Sequence, residues 1–466
     1  MIKFGTDGWR AIISDEFTFR NVRAVAQAIA EYFLDHSQVE RGLIIGYDSR
    51  FLSDKYAKEC ARVIAANGLK VFLTSKVTPT PVVSYLVRSL RAAGAIVITA
   101  SHNPAEYNGI KIKGDFGGSA LPSMICEIEK KINQGPVREM RFEDALNQGL
   151  VSKIDPDPYY YKHLLNFINL KAFSYFPFKV IIDPMYGAAS GYIKKFLEDI
   201  GVESIEIRGE FNPGFKNINP EPIEKNLKEL QRLVIEETAA IGIATDGDGD
   251  RVGAIDRDGT FINPHYIFAL LLRHLVLIKR WRGAVVKTFS TTKIIDKLAQ
   301  KYELDLFETP IGFKYICEIF LTKNVLIGGE ESGGIGFKNH VPERDGILSS
   351  LLLLEIMATH KKNLGELIKE LMEEVGSHYY SRLDLELSDP SKKDLINYLK
   401  GNSFKSFNGL DILFKQNLDG VKFYLEDGSW VLFRASGTEP MIRIYAESYK
   451  SKYANELLNE GKKLFI

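Results

Sequence analysis

The sequence contains little cysteine and carries no net charge. Its 466 residues include three cysteines, 60 basic residues and 60 acidic residues. An odd number of widely separated cysteines excludes a disulfide framework and predicts reduced thiols in a cytoplasmic protein. Cys60 and Cys126 lie in helix-like stretches, and we predict that both are small core residues. Equal numbers of opposite charges exclude a global field that would attract nucleic acid or an anionic membrane.

The sequence also lacks a long hydrophobic run. The N-terminal stretch MIKFGTDGWR has no apolar segment of the kind found in signal peptides. The most apolar helical stretch, residues 270–278, is interrupted by Arg273 and His274 and is too short to cross a bilayer. We therefore expect no membrane association.

What the sequence does contain is the composition of a globular protein and an alternation of strand and helix patterns. Hydrophobic residues make up 45% and charged residues 26%, and the length suggests three or four domains. Apolar runs that predict buried strands, such as 71–74 and 95–99, alternate with stretches of helical spacing, such as 21–34 and 53–67. The alternation continues to about residue 375 and favours related α/β units with parallel sheets.

The C-terminal part of the chain has a different pattern. Short alternating strands precede a closing amphipathic helix that starts near Tyr453, which predicts an α+β module with an antiparallel sheet. We place the boundaries near Ser152, Ile255 and Val375. The predicted domains are residues 1–152, 153–254, 255–374 and 375–466.

A serine follows the strand predicted at 95–99. The motif TASHNP places Ser101 beside His102 and before the turn-forming pair Asn103 and Pro104. Ligands bind beyond the carboxyl ends of the strands in open α/β sheets, so this serine is placed to be a nucleophile. The alternative is a turn in which the serine only caps the next segment.

Three acidic residues at alternate positions follow another apolar strand. The motif DGDGDR contains Asp246, Asp248 and Asp250, separated by glycines that allow a tight loop. Carboxylates with this spacing can converge on one hard cation. An EF-hand loop is excluded because Arg251 and Arg257 take the positions that require glycine and glutamate.

The motif GEESGG also follows an apolar strand. Glu330 and Ser332 are two residues apart and can face one direction, as a pair that reads sugar hydroxyls would. A nucleophile elbow of the form G-x-S-x-G is excluded, because Glu330 takes the position of its first glycine. The alternative is an ordinary loop.

A phosphate-binding pattern lies near the C-terminus. In RASGTEP the residues Arg434, Ser436, Gly437 and Thr438 offer a guanidinium group, two hydroxyls and loop amides, and Arg443 follows on the next strand. A guanidinium fork with hydroxyl and amide donors suits a phosphate dianion.

Taken together, these motifs resemble the α-D-phosphohexomutase superfamily, which includes phosphoglucomutases, phosphomannomutases and phosphoglucosamine mutases. FGTDGWR, TASHNP, YNGIKI, DGDGDR, GEESGG and RASGTEP stand in the order of that family and extend over essentially the whole chain. The resemblance implies three related α/β domains with mixed sheets and a smaller C-terminal α+β domain around a central cleft. It also implies an intramolecular phosphotransferase that interconverts hexose 1-phosphate and hexose 6-phosphate.

The resemblance further implies a reacting centre in which Ser101 carries the phosphoryl group. The residues that would line this centre are Ser101, His102, Lys111, Arg10 and Arg251. If nearby cations lower the pKa of Lys111, its amine could exchange a proton with the sugar hydroxyl. Charge neutralisation by these cations is what phosphoryl transfer requires most.

The same resemblance implies one Mg²⁺ per chain, bound by the phosphate on Ser101 and by Asp246, Asp248 and Asp250. Hexose 1,6-bisphosphate would be the intermediate and the activator. This bisphosphate must turn around in the cleft, so a second phosphate grip that accepts either end is required.

Glu330 and Ser332 would hold sugar hydroxyls, and residues 434–438 would grip the phosphate that is not reacting. Gly334 stands where mutases of dual glucose and mannose specificity, and many glucosamine forms, have histidine. This difference and the motif TPIGFK favour glucose phosphate, with mannose phosphate second.

Two other classes fit parts of the pattern. A metal-dependent sugar phosphatase would use the same groups but would release phosphate to water. A non-catalytic sugar-phosphate or cation-binding protein would not need a phosphorylated serine. In each case the ligand is a small molecule, and we expect a monomer or a homodimer.

Overall fold

The structure is a computed structural model that describes residues 2–36, 39–174, 178–436 and 441–464. Within these ranges the strands form four sheets in four successive parts of the chain, which we call the first, second, third and fourth units. No helix in the described ranges is long and apolar enough to cross a membrane.

The first unit contains a six-stranded mixed sheet. Its elements are β1 (Trp9–Ile12), α1 (Phe19–His36), β2 (Leu43–Tyr47), α2 (Ser53–Ala66), β3 (Val71–Thr74), α3 (Thr80–Leu90), β4 (Gly94–Ile98), β5 (Tyr107–Lys113), α4 (Pro122–Lys131), α5 (Phe142–Asn147) and β6 (Val151–Ile154). The strand order is β1-β5-β4-β2-β3-β6, with β1 and β5 antiparallel to their neighbours. Because β5 runs antiparallel beside β4, the loop between them lies at the carboxyl end of β4.

The second unit contains a five-stranded mixed sheet. Its elements are α6 (Asp157–Phe167), α7 (Leu170–Phe173), β7 (Val180–Asp183), α8 (Tyr192–Asp199), β8 (Ser204–Glu206), α9 (Lys228–Glu236), β9 (Ile241–Thr245), β10 (Val252–Asp256) and β11 (Phe261–Ile262). The strand order is β11-β10-β9-β7-β8, and β10 pairs antiparallel with β9. The boundary expected near Ile255 falls inside β10, and we propose to place it after β11.

The third unit contains a four-stranded sheet of order β13-β12-β14-β15. Its elements are α10 (Pro264–Leu277), β12 (Ala284–Thr288), α11 (Ile294–Lys301), β13 (Leu306–Thr309), α12 (Phe313–Thr322), β14 (Val325–Gly329), β15 (Ile335–Phe337), α13 (Gly346–His360) and α14 (Leu364–Val375). Every residue of α13 from 346 to 358 is buried, because apolar side chains predominate around the helix and pack into one core shared by the second and third units.

The fourth unit is an antiparallel six-stranded sheet with two helices. Its elements are β16 (Tyr379–Glu386), α15 (Asp389–Gly401), β17 (Ser406–Phe407), β18 (Leu410–Gln416), β19 (Val421–Leu425), β20 (Trp430–Ala435), β21 (Met441–Ser448) and α16 (Ser451–Lys463). The order is β16-β21-β20-β19-β18-β17, and the unit has a core of its own.

The predicted fold class is confirmed, with three mixed α/β units followed by a smaller antiparallel α+β unit. The mixed character of the sheets is confirmed as well, since each of the first three sheets includes antiparallel strands beside parallel ones. The prediction that Cys126 is a core residue was wrong, because it is exposed on α4, whereas Cys60 is buried.

Candidate functional site

Polar side chains from three sheets meet where their strands end. Ser101 follows β4, and the acidic loop of residues 246–250 follows β9. Lys111 extends from β5 into the same place, and Glu330 follows β14. All of these side chains are buried. The structure therefore brings together groups that lie more than two hundred residues apart in the sequence.

Ser101 has a left-handed backbone with φ 53°, which is uncommon for a residue with a side chain. Its Oγ donates a hydrogen bond to Asp246 Oδ2 at 2.8 Å. Its backbone N–H donates to Thr99 Oγ1 at 2.8 Å, and its carbonyl accepts from Arg50 Nη2 at 2.6 Å. Because Arg50 also donates to the carbonyl of Asn103 at 2.6 Å, a buried arginine fixes the loop around the serine.

The acidic loop packs directly against the serine loop. A side chain at Gly247 would place its Cβ 2.4 Å from the carbonyl oxygen of Ser101, so only glycine allows this approach. Asp246 Oδ1 accepts from the backbone N–H groups of Asp250 and Arg251 at 2.9 and 3.1 Å. These bonds curl the loop so that its carboxylates face one point.

The three carboxylates fit a hard cation. One ligand atom from each of Asp246, Asp248 and Asp250 lies within 4.8 Å of the other two, and all three residues are buried. Asp248 Oδ1 and Asp250 Oδ1 have no hydrogen-bond partner among the described residues. Burial, followed by the neighbouring Asp250 and Asp248, raises the pKa of Asp246 well above its ordinary value. Buried carboxylate oxygens that accept no hydrogen bond are free to bind a metal, and carboxylates are ligands that Mg²⁺ and Ca²⁺ prefer.

Lys111 bridges the acidic loop and the N-terminal motif. Its Nζ lies 2.7 Å from Asp248 Oδ2, 2.9 Å from Asp250 Oδ2 and 2.7 Å from Asp7 Oδ2. Burial would lower the pKa of Lys111, but the carboxylates of Asp248, Asp250 and Asp7 outweigh burial and raise it. The idea that Lys111 becomes a base through a lowered pKa is thus contradicted, and the lysine is held as a cation.

Two charged residues that the motifs did not single out complete this network. Arg344 Nη2 lies 2.5 Å from Asp7 Oδ2 and 2.8 Å from Asp250 Oδ2. Arg344 thus joins the third unit to the first and the second. Asp7 lies in FGTDGWR, where only Arg10 was considered, whereas Arg344 belongs to none of the motifs and gives no local signal.

Arg344 also occupies the space beside Gly334. A Cβ added at Gly334 would lie 2.3 Å from Cδ of Arg344 and 3.5 Å from Glu330 Oε2. The absence of a side chain at position 334 therefore makes room for this arginine. The arginine supplies a positive charge to the place beside Glu330, where Nη1 lies 3.5 Å from Oε2.

The other residues predicted for the reacting centre surround the serine. Arg10 Nη1 donates to Asn103 Oδ1 at 2.7 Å, and Arg251 Nη1 lies 3.4 Å from Glu221 Oε1. His102 Nδ1 is 3.3 Å from Ser101 Oγ. Burial, followed by nearby arginines such as Arg251, lowers the pKa of His102 well below its ordinary value, so its imidazole is neutral at pH 7.

Glu330 faces this centre from the third unit. Its Oε1 accepts the backbone N–H of Gly312 at 3.1 Å. Burial raises its pKa to about 7, although Arg344 acts in the opposite direction. Ser332, two residues further on, is half-buried in the same loop. Glu330 is thus a carboxyl group that can both donate and accept hydrogen bonds near neutral pH.

The predicted phosphate grip lies on two neighbouring strands of the fourth unit. Arg434 on β20 pairs directly with Arg443 on β21, and Ser436 follows β20 with its carbonyl held by Lys392 Nζ at 2.8 Å. Arg443 is close enough for its charge to contribute to the lowered pKa of His102. The predicted ligands Gly437 and Thr438 lie outside the described residues.

Comparison with known sequence families gives four matches in succession. They are described as the alpha/beta/alpha domains I, II and III and the C-terminal domain of phosphoglucomutase/phosphomannomutase. The matched ranges are residues 1–138, 158–259, 263–375 and 390–461.

Individual proteins are similar over the whole chain. A phosphoglucomutase/phosphomannomutase of Thermococcus kodakarensis is 30% identical over 99% of this chain and 98% of its own length. A phosphoglucosamine mutase of Carboxydothermus hydrogenoformans is 31% identical over 98% of this chain and 97% of its own. A crystal structure from Thermus thermophilus, which carries the provisional name phosphomannomutase, is 38% identical, with a TM-score of 0.88 and coverage of 100% and 99%. The similarity thus includes every loop that contributes to the site.

Proposed function

Because the chain belongs to the phosphoglucomutase/phosphomannomutase family and is therefore a phosphohexomutase, we propose that it interconverts glucose 1-phosphate and glucose 6-phosphate through a phosphorylated Ser101. The observation that carries this proposal is the placement of Ser101 Oγ 2.8 Å from Asp246 Oδ2, at the mouth of the acidic loop. A serine there can exchange a phosphoryl group with a sugar hydroxyl.

The proposed transfer balances without a co-reactant. A sugar hydroxyl of hexose 1-phosphate attacks the phosphorus on Ser101, a new phosphorus–oxygen bond forms, and the bond to Oγ breaks. The hydroxyl loses one proton and Oγ gains one, which leaves hexose 1,6-bisphosphate and free serine. His102 is neutral, and its Nδ1 lies 3.3 Å from Oγ. We assign His102 as the group that hydrogen-bonds Oγ when the phosphorus–oxygen bond breaks and Oγ takes up its proton.

Positive charge around the serine would offset the charge that builds on the transferring oxygens. Lys111, Arg10 and Arg251 provide it from the protein. Burial would lower the pKa of Lys111, but its three carboxylate neighbours raise it and keep that side chain charged. Asp246, Asp248 and Asp250, with the phosphate on Ser101, would hold one Mg²⁺, which supplies further positive charge when bound.

The bisphosphate must then return its other phosphate to the serine. We propose that Glu330 and Ser332 hold the sugar hydroxyls in both orientations. The distal phosphate would be held by Arg434, Ser436, Gly437, Thr438 and Arg443. A grip built from arginine and hydroxyl groups accepts either phosphate of the bisphosphate, because it recognises the dianion and not the sugar.

Mannose phosphate and glucosamine phosphate are the other candidate substrates. The phosphoglucosamine mutase of Carboxydothermus hydrogenoformans, 31% identical to this chain, supports glucosamine phosphate. Mannose phosphate is favoured by the name of the Thermococcus kodakarensis relative. We rank glucose phosphate first because of the form GEESGG, in which Gly334 leaves room for Arg344.

The test is a panel assay with Mg²⁺ and a trace of hexose 1,6-bisphosphate. We expect the wild type to convert glucose 1-phosphate to glucose 6-phosphate faster than the mannose and glucosamine compounds, without releasing phosphate. Ser101→Ala should lose at least about a thousandfold in turnover, whereas Ser152→Ala, an exposed serine on β6, should be unchanged.

Intact mass should also show one added phosphoryl group on the wild type and none on Ser101→Ala. Release of inorganic phosphate at the rate of turnover would identify a phosphatase instead. Full activity of Ser101→Ala would refute the role of the serine.

We further propose that the protein is cytoplasmic. The thiols of Cys60, Cys126 and Cys317 are free, which supports a reducing compartment and hence the cytoplasm. We propose a monomer or a homodimer that acts on a small sugar phosphate, and light scattering of the purified protein distinguishes the two.

A further inference from the structure

Asp419 lies between the fourth unit and the third. Its Oδ2 accepts two hydrogen bonds, one from Nε of Arg434 at 3.0 Å and one from the backbone N–H of Ile311 at 2.9 Å. The Asp419 side chain is 26% exposed and that of Arg434 is 10% exposed. One carboxylate oxygen thus connects an arginine of the predicted phosphate grip to a loop of another unit.

The turn that carries Asp419 is fixed by close packing. Gly420 follows it with φ 102°, and a Cβ there would lie 2.2 Å from the carbonyl oxygen of Phe433. The neighbouring Val421 pairs with Phe433 across the β19–β20 ladder. Because Arg434 is the next residue after Phe433, this pairing places Asp419 beside the arginine.

The other partner of Asp419 belongs to the loop that reaches Glu330. Ile311 lies in the connection between β13 and α12, and the next residue, Gly312, donates its backbone N–H to Glu330 Oε1 at 3.1 Å. Two consecutive amides therefore point to two different carboxylates. The amide of Gly312 donates to Glu330, the predicted sugar-reading residue. The amide of Ile311 donates to Asp419, which also contacts Arg434.

We propose that Asp419 is a positioning residue that sets the guanidinium of Arg434 against the loop at Ile311 and so fixes the distance between the phosphate grip and the sugar-reading carboxylate. This inference rests on the proposed function, in which the distal phosphate binds to Arg434. The substrate concerned is a sugar phosphate that spans the two units.

The chemistry of the guanidinium explains why Nε matters. A hydrogen bond from Nε to a carboxylate fixes the plane of the fork, so a phosphate is taken by Nη1 and Nη2 in a defined direction. Burial would lower the pKa of Arg434, but Asp419 and other neighbours outweigh burial and raise it. Asp419 therefore orients the group without weakening its charge.

The rival interpretation is that Asp419 only closes a turn and contributes to stability. A structural role would change the thermal midpoint and leave the substrate dependence alone. A positioning role acts through Arg434 and predicts that the loss of Asp419 has no further effect once Arg434 is gone.

The experiment measures KM and kcat for glucose 1-phosphate, or for the best substrate of the panel, in the full-length protein. Asp419→Ala should raise KM about tenfold with kcat within about twofold of the wild type, because uniform binding to a non-reacting phosphate is lost. Asp419→Asn, which keeps the shape, should give a smaller increase. In the double variant with Arg434→Ala, KM should stay within about twofold of that of Arg434→Ala.

Asp427→Ala is the matched control. Asp427 lies at the other end of the β19–β20 hairpin, and its side chain accepts hydrogen bonds from the N–H and Oγ of Ser429 in the same turn. The KM of Asp427→Ala should equal that of the wild type. The inference would be overturned if Asp419→Ala and Asp419→Asn both left KM unchanged. It would also be overturned if KM in the double variant rose by the product of the two single increases. An inactive wild type would instead refute the proposed function.

Discussion

At the residue scale, the reactive position of the site depends on an unfavourable backbone conformation. Ser101 has φ 53°, which costs a residue with a side chain about 1–2 kcal/mol relative to the right-handed region. The bonds from Arg50 to the carbonyls of Ser101 and Asn103 hold it there. The result is a hydroxyl that points to Asp246, in the loop that we propose as the cation site.

Gly334 should not tolerate a side chain, although its backbone is not left-handed. In Gly334→Ala the new Cβ would meet Cδ of Arg344 at 2.3 Å, so the arginine must move away from Asp7 and Asp250. We expect kcat/KM to fall about tenfold or more, because charge-assisted hydrogen bonds at the site are lost. Steady-state kinetics of the purified variant measure this.

The control for this change is Gly401→Ala. Gly401 ends α15, and a Cβ there would meet nothing within 4 Å. Its kinetics should match those of the wild type. If Gly334→Ala kept full activity, the contacts of Arg344 would have no part in the reaction.

The sequence allowed some site residues to be predicted and not others. Ser101 and the three aspartates stand in compact motifs after apolar strands. The structure places Ser101 Oγ 2.8 Å from Asp246 and one carboxylate oxygen of each aspartate within 4.8 Å of the other two. Arg344 was missed because its partners Asp7 and Asp250 are 337 and 94 positions away. A long-range ion pair leaves no periodic signal in one sequence.

At the scale of the element, strand ends determine where the chemistry is placed. The acidic loop exists because β9 ends at Thr245 and β10 returns antiparallel from Val252. That short connection forces three carboxylates into one turn. Thr80 at the start of α3 donates its hydroxyl to Asp248 Oδ2 at 2.6 Å, so a helix of the first unit also orients the loop.

Asp248→Asn should therefore impair cation binding specifically. The amide keeps the shape but removes one negative charge from the loop, and we expect the Mg²⁺ concentration for half-maximal activity to rise about tenfold or more. Titration calorimetry with Mg²⁺ gives a readout that does not depend on turnover. Identical Mg²⁺ dependence in variant and wild type would contradict the assignment.

Asp258→Asn serves as the matched control. This exposed aspartate lies in the turn after β10, where its carboxylate accepts the N–H of Thr260 at 2.9 Å. Its Mg²⁺ dependence should be that of the wild type.

Apolar runs predicted many of the buried strands, since a short continuous hydrophobic stretch bounded by turn residues is typical of a core strand. Residues 71–74 coincide with β3, and residues 53–67 lie within one position of α2. The strands β17 and β18 and the helix α15 were missed. Two consecutive apolar residues of β18, Leu413 and Phe414, are 64% and 55% exposed, next to a register shift in its pairing with β19. The sequence of β18 therefore lacks the alternation of apolar and polar residues expected of a half-buried strand.

At the scale of the whole molecule, the second and third units are joined by a buried polar cluster as well as by apolar packing. Glu355 on α13 lies 2.8 Å from His274 Nε2 and 2.9 Å from Lys279 Nζ, and it accepts the N–H of Asn169 at 2.8 Å. Burial would raise the pKa of Glu355, but His274 and Lys279 outweigh burial and lower it below 4.5.

This cluster predicts how stability depends on pH. A carboxyl whose pKa is lowered by folding stabilises the protein above its unfolded pKa, and the contribution is lost as the pH falls through the folded pKa. Glu355→Gln should therefore lower the thermal midpoint by several degrees at pH 7, from a loss of about 3 kcal/mol. The difference in thermal midpoint between Glu355→Gln and the wild type should narrow as the pH falls below 4.5.

Glu373→Gln, on an exposed position of α14, is the matched control for the loss of one negative charge. Its midpoint should follow that of the wild type at every pH. The thermal midpoint of Glu355→Gln could instead stay the same number of degrees below that of the wild type from pH 7 to pH 3. That result would contradict the prediction that the charge of Glu355 stabilises the protein.

The distribution of the site over successive units has a consequence for synthesis on the ribosome. Domains fold in order as the chain emerges, so the serine loop and the acidic loop are complete before residue 344 has been made. Until then the carboxylates of Asp7 and Asp250 lack the guanidinium that contacts them at 2.5 and 2.8 Å in the finished protein. A nascent chain therefore passes through a stage in which these two carboxylates pair with Lys111 but still lack the positive charge of Arg344.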